Sequence, residues 1–358
     1  MNTEKNYAAP IFIIGTERSG SNLLRLMLNQ HPSIAIPHPP HILKEMMPLE
    51  SLYGDLSLDR NFRKLIGDAI ALVKLHFFPW DGPLDADVAF AEAVGRDVYG
   101  VKAALYDQYR RARGKKRWGC KSTFVIHYVD RVRRHHPDAK FIHLVRDGRD
   151  VAVSARRSVF NHFHPHYVGR LWGEQQRAAI DLARRLPAES MIVVRYEDLL
   201  DDPAREVRRV CGFINEDYSD ALLDYFRSDE ARSLATHSRS WENVDKPVLK
   251  ANRSRYKREL SAGEIEAFER QAFEELKHFG YSPENNEARL KRDPGGATLL
   301  RYWIQENALW GLETVKSLGS DRNAPRRLRK SLFVLKLRLA LTVRRELASG
   351  QVVMGTGD

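Results

Sequence analysis

The sequence predicts an α/β protein with a P-loop-like three-layer fold, in which a central parallel sheet is flanked by helices. A helical insertion and a helical C-terminal extension are expected in addition. Short apolar runs at 11–15, 140–146 and 191–195 are each followed by a polar turn or a helical pattern. Strands that alternate with helices are joined by right-handed crossovers and form parallel sheets. The 358 residues, 43% of them hydrophobic, are enough to bury the core of such a sheet.

The first predicted strand and helix are joined by a loop of small and polar residues. The run 11–15, IFIIG, is typical of a strand buried on both faces, and 19–29 has its apolar residues on one helical face. Pro32 follows the end of this helix. Between strand and helix lies the loop 15–20, GTERSG. A loop of this kind at a helix N-terminus is typical of a phosphate site.

Further elements are predicted along the chain. Residues 41–95 are mostly helical and are interpreted as an insertion that shapes the substrate site. The other predicted strands are 117–122, 140–146 and 191–195, and the other predicted helices are 125–134, 149–157, 167–185, 299–318 and 324–347. Because ligands bind beyond the carboxyl ends of parallel strands, the loops after these strands are candidate sites.

The loop 15–20 lacks the features of an ATP site. An ATP or GTP P-loop has a Lys after its second Gly, and then a Ser or Thr that binds Mg²⁺. Ser21 and Asn22 occupy these two positions, and the cation is Arg18, inside the loop. The helix N-terminus still offers N–H groups and a positive dipole end to an anion. The pattern favours a donor whose transferred group needs no metal; the alternative is that the two glycines only make a tight turn.

This loop resembles the 5′-phosphosulfate loop of the sulfotransferases that use 3′-phosphoadenosine-5′-phosphosulfate (PAPS). That family has the pattern G-x-x-[RK]-[ST]-G-[ST]-[ST]-x-L between a strand and a helix, and this chain has GTERSGSNLL over 15–24. Asn22 replaces the usual Ser or Thr but can still donate a hydrogen bond to a phosphate oxygen. The resemblance implies that the donor is bound by Arg18, Ser19, Gly20, Ser21, Asn22 and Leu23.

A second stretch resembles the part of the same family that binds the 3′-phosphate of PAPS. In FIHLVRDGRDVAVSARRS, Arg146 ends a strand and Ser154 follows eight residues later on the next helix. A strand end and the first turns of the following helix can face one phosphate, and the resemblance implies this role for both residues. The alternative is a charged surface turn, whose ion pairs would contribute little to stability.

Two further motifs lie where the family has them. RWGCKST, with Lys121, resembles the segment that approaches the donor, although Thr123 replaces a Pro. VVRYEDLLDDP, with Tyr196, resembles the segment whose Tyr lies near the adenosine. The likeness covers residues 10–281. We therefore expect a sulfotransferase catalytic domain over 1–284, of the bacterial and tyrosylprotein-sulfotransferase-like branch, followed by a basic helical extension over 285–358.

The resemblance implies transfer of a sulfuryl group from PAPS to a hydroxyl or amine acceptor by in-line displacement, with PAP as the product and no metal requirement. Arg18 is expected to stabilise the bridging oxygen as it becomes anionic, because an Arg stays charged. The acceptor needs a base. His41, in PPHIL, matches the His of bacterial relatives, and His38 is the second choice. Alternatively, both imidazoles only cap a Pro-rich turn.

The other histidines do not predict a catalytic metal. His135 and His136, and the group His162, His164 and His166, could suggest a metal, but the second group lies in a loop with no carboxylate or Cys partner nearby in sequence. A metal-scavenging surface or an acceptor-site loop is the favoured interpretation of the second group.

The identity of the acceptor stays open between a small molecule, a carbohydrate, a lipid and a peptide tyrosine. The insertion at 41–95 and the loop at 158–170 are expected to select it.

The net charge of +11 predicts an anionic partner. Two alternative functions are a P-loop small-molecule kinase, which the missing Lys disfavours, and a membrane- or nucleic-acid-associated binding protein. No compact RNA-binding signature is present, so nucleic acid is disfavoured. The amphipathic basic extension is compatible with peripheral contact to an anionic inner membrane surface, but homodimerisation or packing on the catalytic domain is favoured. Cys120 and Cys211 lack disulfide-framework spacing, and the expected location is cytoplasmic.

Overall fold

The computed structural model of the chain describes residues 8–78, 80, 82–156, 162–237, 241–320 and 323–354. Within these ranges the strands are β1 (Ile11–Ile14), β2 (Ile34–Ala35), β3 (Arg117–Lys121), β4 (Lys140–Val145) and β5 (Met191–Arg195). They follow the order β2-β3-β1-β4-β5 in one sheet. β2 pairs in parallel with β3, and β4 pairs in parallel with β5 from Phe141 opposite Met191 to Val145 opposite Arg195.

Helices precede and follow these strands along the described chain. In order they are α1 (Ser21–Asn29), α2 (Ile42–Met46), α3 (Asp59–Lys74), α4 (Ala86–Glu92), α5 (Val98–Ala112), α6 (Val129–His135), α7 (Gly148–Ala155), α8 (Pro165–Arg185), α9 (Tyr196–Asp201), α10 (Pro203–Phe213), α11 (Asp229–His237), α12 (Tyr256–Glu259), α13 (Ala262–His278), α14 (Glu287–Leu290), α15 (Gly296–Ser320) and α16 (Ala324–Met354). The predicted α/β class, with a parallel sheet and flanking helices, is confirmed.

Most predicted elements appear with small shifts at their ends. β5 has the predicted bounds, and β3 and β4 each end one residue earlier than predicted. The helix predicted at 125–134 is wrong in its first part, because residues 123–128 form a tighter 3-10 turn before α6 begins. β2, α5 and the helices from α9 to α14 were not predicted. Two residues are too few to show the alternation of a strand, and α5 is buried over most of its circumference, which removes the polar face.

The described residues fall into two compact units. The first unit comprises 1–11, 32–139 and 323–358, and the second comprises 12–31 and 140–322, as far as these ranges are described. α15 thus belongs to the second unit and α16 to the first. The boundary at residue 284 stays a prediction, and the N-terminal residues 1–7 of the predicted domain lie outside the described residues.

The core of the second unit fixes the end of β4. Trp172 on α8 packs with Phe268 on α13, with ring centroids 5.9 Å apart, and both are fully buried. The Trp172 indole N–H donates to the carbonyl of Arg146, directly after β4, at 3.2 Å. Gly148 lies so close to this pair that a Cβ would be 2.3 Å from the Phe268 ring. The residues after β4 are therefore held by close packing.

The first unit has a core of helices and aromatic side chains. Leu65 and Ile66 of α3 are fully buried, and Leu337 and Leu341 of α16 are buried in the same unit. Polar contacts add to this packing, since Arg326 of α16 donates to the carbonyl of Phe77 at 2.8 Å. None of the helices in the described ranges has both the length and the apolar character needed to cross a membrane.

Candidate active site

The loop after β1 has a backbone that only particular residues allow. Gly15 has φ 142°, and a Cβ there would be 2.2 Å from the carbonyl oxygen of Leu144 on β4. Gly20 has φ 89°, and a Cβ there would be 2.4 Å from the ring of Tyr196. Arg18 lies between them in the left-handed region, at φ 72°. A non-glycine residue in this region costs free energy and is held only by its surroundings, which is common at binding sites.

The N-terminus of α1 is open to an anion. Gly20 is the N-cap residue and provides no side-chain cap, and the first turn has no acidic residue. The N–H of Leu23 already donates to the carbonyl of Gly20 at 2.9 Å, and Asn22 Oδ1 accepts from Arg25 Nε at 3.4 Å. Ser19 is 1% exposed, and its Oγ has no hydrogen-bond partner among the described residues. A buried hydroxyl without a partner next to a helix N-terminus fits a ligand oxygen.

Arg146 lies against the same loop. Its guanidinium donates to the carbonyl of Arg18 at 3.2 Å and to the carbonyl of Asn252 at 3.1 Å, and it is centred 4.6 Å from the ring of Tyr196. The Asp150 carboxylate lies 3.8 Å away. Burial raises the pKa of Asp150, against the lowering effect of the Arg146 charge. Arg146 is 3% exposed, so its charge acts in a medium that screens it weakly.

The loop cation also contacts the helix after β4. Arg18 Nε donates to Ser154 Oγ on α7 at 3.1 Å. Burial, and then the charge of Arg146, lower the pKa of Arg18 to about 10. Arg18 thus stays cationic at neutral pH, and two guanidinium groups are held close together. Like charges held near each other are stabilised when an anion binds between or beside them.

Asn252 is a site residue that sequence reasoning missed. Its carbonyl accepts from Arg146, and its Nδ2 donates to the hydroxyl of Tyr196 at 2.9 Å. It therefore fixes both the cation and the aromatic ring of the predicted nucleotide site. The only signal in the sequence is the basic stretch 250–258, KANRSRYKR, which follows no strand and matches no motif that we considered.

The candidate bases lie in the first unit. His41 is the residue before α2, and its φ of 62° is in the left-handed region. Its Nδ1 is buried and has no hydrogen-bond partner among the described residues. Its ring lies 6.2 Å from that of Phe124 in an edge-to-face arrangement. The side chain provides no cap to α2.

Cations surround His41. Burial, followed by the charges of Lys330, Lys121 and Lys44, holds the pKa of His41 well below its ordinary value. Lys330 of α16 donates to the carbonyl of Pro40 at 3.1 Å and lies 3.2 Å from a Glu45 oxygen. His41 is therefore neutral at physiological pH and able to accept a proton. Lys121, which was predicted to approach the donor, is near enough to His41 for its charge to lower the pKa of that imidazole.

His38 has a different environment. It is 4% exposed, and its ring lies 5.0 Å from those of His76 and Phe77. Its carbonyl accepts from the Trp80 indole at 3.1 Å. The imidazole of His38 is thus part of a buried aromatic cluster, as is typical of a residue in the protein core.

The histidine group after α7 contacts a residue far along the chain. His162 Nδ1 lies 2.9 Å from Glu306 Oε1 of α15, and the backbone N–H of His164 donates to Glu306 Oε2 at 2.7 Å. The rings of His164 and His166 lie 4.4 and 5.3 Å from that of Tyr302. Among the described residues no group of His, Cys, Asp and Glu is arranged to hold a metal. Residues 158–161 of the predicted acceptor loop lie outside the described ranges.

The structure therefore brings the predicted donor residues together within the second unit. Arg18, Ser19, Gly20, Arg146, Ser154 and Tyr196 form one set of direct contacts or adjoining loop positions. Ser21, Asn22 and Leu23 form the first turn of α1 beside them. His38, His41 and Lys121 belong to the first unit.

The comparison with protein families gives one match over more than half of the chain. The profile described as "Sulfotransferase family" matches residues 10–220. Protein-tyrosine sulfotransferase A of Caenorhabditis elegans is 21% identical over 244 residues, which is 66% of this chain and 58% of that protein. Nodulation protein NoeE of Sinorhizobium fredii is 29% identical over 58% of this chain and 50% of its own length. The chain thus spans between half and three fifths of the length of these two relatives.

Solved structures show the same fold. The sulfotransferase domain of the Synechococcus PCC 7002 olefin synthase is similar with a TM-score of 0.54 and 24% identity, over 78% of this chain and 97% of that domain. The sulfotransferase domain of the curacin biosynthetic pathway is similar with a TM-score of 0.51 and 18% identity, over 76% and 98%. At these identities the likeness concerns the fold alone.

Proposed function

Because this chain belongs to the sulfotransferase family, we propose that it transfers the sulfuryl group of PAPS to a hydroxyl or amine acceptor. The carrying observation is the convergence of Arg18, Arg146, Ser154 and Tyr196 on the open N-terminus of α1. Bound PAPS would supply the activated sulfuryl group and an anionic leaving oxygen. The protein would supply position and charge.

The residues around the loop fit a donor with phosphate groups at both ends. Ser19 Oγ, which has no hydrogen-bond partner in the described part of the chain, and the first turn of α1 suit the phosphosulfate end. Arg146 and Ser154 suit the 3′-phosphate end, and Tyr196 offers a ring to the adenosine. The Arg18–Ser154 hydrogen bond joins the residues assigned to the two ends, so donor binding would exchange this contact for contacts with the ligand.

Arg18 would stabilise the leaving oxygen electrostatically. Its pKa of about 10 leaves it protonated at neutral pH, and it would act without giving up its proton. Asn22 occupies the position at which an ATP site has its Mg²⁺-binding hydroxyl, which supports transfer without a metal requirement.

His41 would be the base that takes the proton of the acceptor. It is neutral because burial and the neighbouring lysines disfavour its protonated form. His38 is the second choice, since its aromatic packing limits its access to an acceptor.

A tyrosine phenol is the first acceptor to test, because several relatives are named protein-tyrosine sulfotransferases. A carbohydrate, a lipid and a small molecule are the other candidates. A cytoplasmic location is supported by the two free, buried cysteines.

The test is calorimetric titration of the full chain with PAP in the absence of metal. Arg146→Ala should weaken PAP binding by about 100-fold or more, because a buried cation would be lost from the phosphate site. Arg205→Ala is the matched control, since its side chain is 62% exposed and it should bind PAP as the wild type does. Failure of the wild type to bind PAP, or binding of ATP only with Mg²⁺, would contradict the proposal.

A further inference from the structure

α16 has an inner face that is anchored in the first unit. Leu337 and Leu341 are 6% and 0% exposed. On the same side, Arg326 donates to the carbonyl of Phe77, Lys330 to that of Pro40, and Arg344 to Asn61 Oδ1 at 2.9 Å. These contacts occur along the helix from its first turn to residue 344. α16 is therefore fixed from its first turn to residue 344, and its opposite face points away from these contacts.

The outer face of α16 is an apolar stripe. It consists of five side chains, each between 45% and 59% exposed: Leu328, Leu332, Leu335, Leu339 and Val343. At 100° per residue they cover about 80° of the helix circumference. Isolated exposed leucines are ordinary, but a continuous row on one face of a long helix indicates a surface that binds something.

Basic residues flank the stripe on both sides. Helical spacing places Arg327, Arg338 and Arg345 along one edge and Arg329 and Lys336 along the other. No acidic residue occurs between 323 and 345. Long basic side chains beside an exposed apolar row can lie along apolar surface while their charges reach anionic head groups.

We propose that the outer face of α16 docks on an anionic lipid bilayer, with the helix lying in the plane of the membrane surface. The leucine stripe would enter the boundary between head groups and acyl chains, and the two basic edges would contact anionic head groups. The inner face, with its contacts to the first unit, would hold the protein on the membrane without a spanning segment.

Charge favours a bilayer over a second copy of this chain. If two α16 stripes packed on each other, the basic edges of both helices would meet, and residues 323–345 offer no acidic partner. Like charges in such a contact oppose association. A membrane rich in phosphatidylglycerol supplies both the apolar phase and the negative charge. This inference does not depend on the proposed chemistry, because it concerns only the outer face of α16.

The experiment is flotation of the full chain with vesicles of phosphatidylcholine alone and of phosphatidylcholine mixed with phosphatidylglycerol. We expect binding to the anionic vesicles that decreases as salt rises, and little binding to the neutral ones. The double variant Leu335→Ser/Leu339→Ser should reduce binding on the order of tenfold or more. Lys336→Gln/Arg338→Gln should reduce it on anionic vesicles only.

Matched control variants test whether the loss of binding depends on where the leucine or the positive charge is removed. Leu249→Ser alters another exposed leucine, 42% exposed, and Arg258→Gln/Lys277→Gln removes the same charge from the second unit. Both controls should float like the wild type. The proposal is overturned if the wild type does not bind anionic vesicles at low salt, or if the stripe variants float unchanged. It is also overturned if light scattering shows a dimer that Leu335→Ser/Leu339→Ser dissociates, since the stripe would then bind a second copy.

Discussion

The loop 15–20 and the turn at His41 share one backbone feature, but their central side chains end with different charges. Arg18 and His41 each adopt a positive φ, of 72° and 62°, shortly before a helix begins. Each lies near another cation, Arg146 for Arg18 and three lysines for His41, and burial is the largest cause of the lowered pKa of each. Arg18 nevertheless remains charged, because its ordinary pKa is so high, whereas His41 becomes neutral.

This difference shows how burial beside a cation can lead to two chemical roles. A buried, cation-rich surrounding lowers the pKa of any basic group within it. The residue type then decides the role: an Arg supplies a fixed positive charge, and a His supplies a lone pair. The strain of each positive φ is on the order of 1–2 kcal/mol and is offset by the packing around it.

The largest expected effect comes from removing the positive charge of Arg18 in the loop 15–20. Arg18→Ala should lower kcat/KM for sulfuryl transfer roughly 100- to 1000-fold, because the leaving oxygen would lose its stabilising cation. Arg18→Lys should retain part of the rate. Steady-state assays with PAPS and a tyrosine peptide measure this. An Arg18→Ala enzyme with near-normal kcat would remove Arg18 from the chemistry.

The next largest effect is expected at His41, where two substitutions separate the backbone strain of the turn from the role of the side chain as a base. His41→Gln and His41→Gly should both lower kcat about 100-fold if His41 is the base. His41→Gly should keep the thermal stability of the wild type, because glycine adopts φ 62° without strain. His38→Gln should lower kcat by less than tenfold. Normal kcat in His41→Gly would show that His41 is only a turn residue.

A smaller effect concerns pH. His41 is neutral in the folded chain and the unfolded chain takes up its proton below about pH 6.5, so stability should fall as the pH falls through that value. The groups whose charges act on His41 are Lys330, Lys121, Lys44 and His76, and Glu45 pairs with Lys330. Removing one cation, in Lys330→Met, should raise the pKa of His41 and move the acid limb of the pH–rate profile to higher pH.

The control for this prediction lies on the same helix. Lys336 is exposed, and Lys336→Met removes the same charge without approaching His41. The acid limb should be unchanged in that variant. Equal profiles for both lysine variants and the wild type would contradict the idea that Lys330 tunes His41.

The smallest expected effect is that of Ser154→Ala. It removes one hydrogen bond to Arg18 and one proposed donor to the 3′-phosphate, so PAP affinity should fall about fivefold. Calorimetry resolves such a change. A loss as large as that of Arg146→Ala would mean that Ser154 also holds Arg18 in its binding conformation.

Local patterns predicted the α/β fold, which the structure confirms, and a donor loop over 15–20 that stays a prediction. The spacing of Gly15 and Gly20 and the strand before Arg146 could be read from the sequence, because each depends on a few adjacent residues. Asn252, Lys330 and Glu306 could not be found in this way. Each acts across more than 100 residues of sequence, as Glu306 does on His162 and Lys330 on Pro40, and no local periodicity marks such contacts.

The assembly of the first unit from separate segments affects how the protein is made. Its residues 32–139 are synthesised long before residues 323–354, which supply Leu337, Leu341 and Lys330. At about 5–20 residues per second, the ribosome would expose the first unit without α16 for some ten seconds or more. The second unit would have all its segments before α16 emerges. The face that receives α16, including the turn at Pro40, would therefore be the last part of the nascent chain to close.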